Sequence, residues 1–187
     1  MILSLFRRSG RADTISTLYG MIVAQARLPC FYRDYGVPDT VNGRFEMIVL
    51  HMSVALGRLM PDPALKALGQ GVFDRFCNDM DSNLREMGIS DVKVPKEMRR
   101  MGEAYYGRSK AYDAALAAPD GGAGLVEAIA RNIYDGTPKD PAAAARLAAY
   151  MREAVAGMAT QPVAALGAGT LVFPDPAAVG PVQDKVE

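Results

Sequence analysis

The chain has 187 residues, half of them apolar, with 21 basic and 21 acidic side chains and one histidine. That length holds one domain with a real core rather than two, and the balanced charge offers no bulk field to nucleic acid. Two cysteines, Cys30 and Cys77, are too few for a disulfide framework, and no stretch approaches the ~20 uninterrupted apolar residues of a bilayer span.

At the N-terminus the apolar run Met1–Phe6 is short, and Arg7 and Arg8 follow it instead of preceding it, the reverse of a secretory signal. Residues 1–12 are therefore expected to be a flexible end. The alternative is an interfacial dip of Leu3, Leu5 and Phe6 with Arg7, Arg8 and Arg11 at lipid headgroups. A reducing cytoplasm is the expected compartment.

A first helix is predicted from about Thr14 to Leu28, with Asp13 as N-cap and Ile15, Leu18, Tyr19, Ile22, Val23 and Ala26 on one face. Pro29 stops it. A loop to Asn42 then combines turn residues (Gly36, Pro38, Asp39, Asn42) with apolar weight from Phe31, Tyr32, Tyr35 and Val37. The second helix runs from about Gly43 to Met60 and the third from Pro63 to Met87, where Gly88 suits a left-handed C-cap. Pro95 opens a fourth helix to about Ala117. A shorter fifth spans Gly124–Tyr134, and Asp140-Pro141 starts a last one that ends near Thr160. Residues 161–187 are rich in Gly, Ala and Pro and are expected to attach loosely. The fold class is all-α: a single-domain bundle of about six helices over residues 13–160 with an irregular C-terminal tail.

Catalytic and metal-binding patterns are thin. Asp79 and Asp81 stand two apart on a helix and point to different sides, while His51 and Glu46 stand five apart, so neither pair chelates one ion. No nucleophile elbow, Walker loop or strand-linked glycine fingerprint occurs. His51 shares its helix with Ile48, Met52 and Leu56 and reads as a packing histidine rather than a base. No cofactor is expected, no metal and no catalytic residue.

The polar side of the third helix (Asp79, Asp81, Arg85, Glu86) supports three readings. It is a solvated face with pairs such as Arg75–Asp79. Or it meets Arg44, Arg85 or Arg108 from neighbouring helices, since the guanidinium fork matches a carboxylate. Or it walls a groove for a partner. Eleven methionines and no tryptophan favour an adaptable apolar surface; Met47, Met52, Met80, Met87, Met98 and Met101 fall on or beside the long helices.

Several of these stretches together resemble one family. They are Ala24-Gln25-Ala26-Arg27, Phe31-Tyr32, Gly36-Val37-Pro38-Asp39-Thr40, Gly43-Arg44-Phe45-Glu46, His51, Asp79 through Gly88, Tyr106-Gly107-Arg108 and Ala111-Tyr112. Over about residues 14–150 the chain is similar to the ubiquinol–cytochrome c chaperones, with Asn42 standing where an acid is expected. That resemblance implies a non-enzyme that holds newly made cytochrome b for the cytochrome bc complex. It would work peripherally at the cytoplasmic face of the inner membrane, with or without a second small assembly factor. On this basis the partner-binding residues are expected to be Phe31, Tyr32, Tyr35, Val37, Arg44, Glu46, Met80, Asp81 and Arg85. They would line or rim a groove between the aromatic loop and the second and third helices, and Phe31 or Tyr32 should then be replaceable without loss of fold. The rival readings are a helical dimerisation or regulatory module, and a helical enzyme using His51, Asp81 and Tyr106.

Overall fold

The computed structural model describes residues 2–120 and 122–179, with side chains from Gly10 onward. Its described elements are all helical: α1 (Ile2–Ala26), α2 (Pro29–Arg33), α3 (Val41–Leu59), α4 (Lys66–Glu86), α5 (Val94–Ala117), α6 (Ala123–Ile133), α7 (Ala143–Ala159) and α8 (Val163–Gly167). Six are long and two are single turns, which is the all-α bundle expected from the sequence.

Helix α3 is the axis of the molecule. It packs against α1, α4, α5, α6 and α7, and every residue from Glu46 to Leu56 is buried. A helix covered on all sides cannot be amphipathic, which is why Ile48, Met52 and Leu56 are only part of its buried surface. Thr40 caps it, the hydroxyl accepting from Gly43 N–H at 3.1 Å. Around that axis α1 pairs with α4, α5 with α6, and α6 with α7.

Several boundaries follow local chemistry. Gly88 adopts φ +81, and Ile89 N–H reaches back to the Leu84 carbonyl at 3.0 Å, closing α4 with the expected left-handed turn. Asp120 accepts from the N–H groups of Gly122 and Gly124 before α6, and Asp140 accepts from Ala142 N–H just ahead of α7.

Three expectations need correction. Helix α1 begins at Ile2 rather than Thr14, so residues 2–12 are helical and Asp13 lies inside the helix instead of capping it. Thr14 and Thr17 instead bond back to the carbonyls of Gly10 and Asp13, and Gly10 is the poorest helix former in that stretch. The side chains of Leu3, Leu5 and Phe6 lie outside the described residues.

The aromatic loop contains a helical turn, α2, opened by Pro29. And the tail from Gln161 to residue 179 is packed on the bundle: Leu166 and Leu171 are buried, Pro176 with them, and Phe173 and Val179 lie against the core. Composition misled there because apolar side chains two to five residues apart are enough to fasten an irregular chain. Residues 180–187 lie outside the described residues.

Candidate functional site

An open groove of about 310 Å³ lies between the end of α1, the first turns of α3, the last turns of α4 and the middle of α5. Phe45, Ile48, Met80, Leu84 and Met101 form its apolar walls, and Arg27, Arg44, Asn83 and Glu86 stand at its rim. Val41 and Met87 guard its mouth, 72% and 55% exposed. Phe45 is held in place by stacking on Phe76, centroids 6.4 Å apart. An apolar floor with charged edges accepts the anchoring side chains of a partner, and thioethers adapt to their shape. Of the six methionines singled out, Met80, Met87 and Met101 line this groove, whereas Met47 and Met52 are buried in the core.

The nine expected partner-binding residues do not form one surface. Arg44 and Met80 do line the groove, and Arg44 is fixed there by Asp39 at 2.5 Å, which holds the Asp39 carboxyl below its usual range. Phe31, Tyr35 and Val37 are core residues. Phe31 is 0% exposed, with Tyr35, His51 and Tyr150 around its ring. Its removal would therefore open a cavity rather than leave the fold intact. Tyr32 is half-buried and donates its hydroxyl to the Ala26 carbonyl, tying α2 to the end of α1.

Glu46 faces inward, fully buried, and takes Arg108 of α5 at 2.5 Å; its second oxygen has no partner among the described residues. Burial raises the Glu46 pKa, and the Arg108 hydrogen bond opposes that shift. Asp81 and Arg85 pair along α4, and Arg85 also holds Asp91 of the α4–α5 turn. The cross-helix pairing expected for the α4 acids is thus replaced: Arg108 goes to Glu46, and Asp79 accepts from Tyr19 of α1 at 2.8 Å.

His51 is fully buried and both of its ring nitrogens are engaged. Nδ1 donates to the Met47 carbonyl at 2.8 Å, so Nε2 accepts from Tyr150 Oη at 2.9 Å. Tyr150 in turn accepts from Gln25, whose amide also donates to the Pro174 carbonyl. Asp81 is spent on Arg85, and Tyr106 lies exposed against Phe73 and Tyr105. No hydrogen bond joins these three acid–base candidates.

Sequence reading missed Arg27, Phe45 and Leu84 as groove residues. The i, i+4, i+7 spacing of Met80, Leu84 and Met87 was available as a signal. What it could not reveal is that α1, α3 and α5 leave that face open.

A family model described as "Ubiquinol-cytochrome C chaperone" matches residues 33–173. The chain is 28% identical over 126 residues to the ubiquinol-cytochrome-c reductase complex assembly factor 1 of Xenopus laevis, covering 67% of this chain and 62% of that protein. The crystal structure of the Cbp3 homolog from Brucella abortus superposes with a TM-score of 0.84 at 41% identity, over 96% of this chain and 100% of that one.

Proposed function

The chain belongs to the ubiquinol–cytochrome c chaperone family, and from that premise we propose that it is an assembly chaperone of the cytochrome bc complex with cytochrome b as its client. The observation that carries the reading is the family match, which extends through every element that builds the groove from α3 onward. The groove supplies a physical means. A membrane-protein client must keep its apolar side chains out of water before lipid takes them, and an open apolar surface with adaptable thioethers does that. Its volume suits anchoring side chains spaced along one face of a client helix, not a whole helix. Arg27 and Arg44 on one edge and Glu86 on another would then set the client's orientation.

No helix among the described residues is long and apolar enough to cross a membrane. In this reading the protein meets its client from the cytoplasmic face of the inner membrane, peripherally, and acts by binding rather than catalysis. A second small assembly factor, if it takes part, would engage a surface other than the groove.

The test is crosslinked affinity capture of the tagged protein from solubilised membranes, probed for cytochrome b, with Val41→Glu and Met87→Glu as comparisons. Both side chains are largely exposed, so these variants should melt like the parent. Cytochrome b recovered with the parent and reduced several-fold with the variants is the expected result. Capture of the bait with no cytochrome b, in cells actively making the complex, would sink the client assignment. Equal recovery by parent and variants would move the client off this groove.

A further inference from the structure

The last described stretch of the chain lies on the bundle as a bound peptide would. Residues 171–175 run without helix or strand, and every second carbonyl from Val172 to Pro176 is captured by a side chain from outside the segment. Val172 O accepts from Gln161 Nε2 at 2.7 Å, Pro174 O from Gln25 Nε2 at 3.0 Å, and Pro176 O from Tyr35 Oη at 2.7 Å. Val172 N–H donates back to Gln161 Oε1 at 2.9 Å, so one glutamine amide reproduces both hydrogen bonds of a neighbouring strand. A two-residue repeat of captured carbonyls is the spacing of an extended chain.

The side chains between them turn inward. Leu171 is buried, and Phe173 packs against the His51 ring in an edge-to-face contact, centroids 5.1 Å apart. Val172 points away and is exposed. Backbone capture alternating with side-chain pockets is how proteins bind extended peptides.

The receiving walls also hold one another. Phe31, Tyr35, His51 and Tyr150 form one aromatic cluster from α2, the turn after it, α3 and α7. Gln25, on α1, is oriented by its second hydrogen bond, to Tyr150. All the groups that hold the segment's carbonyls are neutral, and no helix follows the segment among the described residues. It can therefore lift without unwinding any part of the bundle.

We propose that this face is a cleft for an extended apolar peptide, that residues 171–176 are its resident occupant, and that a partner segment with an aromatic residue in the Phe173 position displaces them. The inference leans on the chaperone reading only for whose chain the displacing segment belongs to.

Two measurements on the full chain test it, and neither involves cytochrome b. The first is anisotropy of a fluorescent synthetic peptide spanning Thr170–Val179, titrated with the parent and with Phe173→Ala. Weakening the resident segment should raise affinity for the free peptide by roughly tenfold or more, because an occupant tethered beside its site competes at high effective concentration. Adding Gln25→Ala should reverse much of that gain. No binding to either protein, or equal binding to both, overturns the proposal.

The second measurement is amide hydrogen exchange of the parent, which decides the matter even where Phe173→Ala fails to fold. The Val172 amide should exchange at least about tenfold faster than core amides of α3 such as Leu50, reporting release without global opening. Exchange at the same rate as α3 would mean that the segment leaves only when the protein unfolds, and the cleft would be mere packing.

Discussion

His51 donates through Nδ1 and accepts through Nε2, so the folded protein leaves it no site for a second proton. Burial accordingly pushes its pKa down to about 4. The unfolded chain protonates near the ordinary value of about 6.5, so it gains a proton that the native state refuses. Stability is complete above that value and falls as pH drops from about 6.5 toward 4, by roughly 3 kcal/mol in all. Urea midpoints measured across that window should fall with pH, and His51→Gln should flatten the slope.

Glu46 runs the other way, because burial raises its folded pKa. Its contribution is most favourable at acid pH and is lost as pH rises from the unfolded value through the folded one. Removing its partner by Arg108→Ala leaves a buried carboxylate uncompensated, at a cost of about 3–5 kcal/mol near neutrality. That cost should shrink as the buffer is made acidic, which denaturant titrations at two pH values would reveal.

At the scale of elements, the loop that joins α2 to α3 is secured by closeness of backbone to backbone. A Cβ on Gly43 would sit 2.0 Å from the Pro38 carbonyl oxygen, so Gly43→Ala must push the Gly36–Thr40 turn outward. Overpacking of this kind costs about 1–3 kcal/mol, and the loss should appear as a lowered melting temperature with helical content retained. Val37 and Asp39 would move with the turn, the first in the core and the second holding Arg44 at the groove rim. A similar closeness joins α1 to α4, where a Cβ on Gly71 would meet the Ile15 side chain at 2.3 Å. Phe31, one of the nine residues expected to bind a partner, is instead part of the packing that such turns preserve.

For the whole molecule, burial of α3 leaves two distinct surfaces around it. On one, α1, α3, α4 and α5 leave the Met-lined groove open; on the other, α2, the turn after it, α3 and α7 make the aromatic cluster that residues 171–176 cover. Substitutions at exposed groove positions such as Met87 should therefore change partner capture and leave the melting temperature alone, whereas those at Phe31 or Tyr35 should change both.

The helical class, the positions of α4 to α7 and the packing role of His51 were legible because apolar spacing, prolines and Gly88 are local signals that need no neighbours. So was the family resemblance, which long composite motifs carry. Which aromatics face a partner and which face the core was decided only in three dimensions. Phe31, Tyr32 and Tyr35 are alike in type and close in sequence, yet Phe31 and Tyr35 are buried against Tyr150 of the distant α7 while Tyr32 stays half-buried on the end of α1. The tail differed for the same reason. Its composition reads as loose chain, and order comes largely from hydrogen bonds offered to its backbone by Gln25 and Tyr35, which no local pattern within the tail encodes.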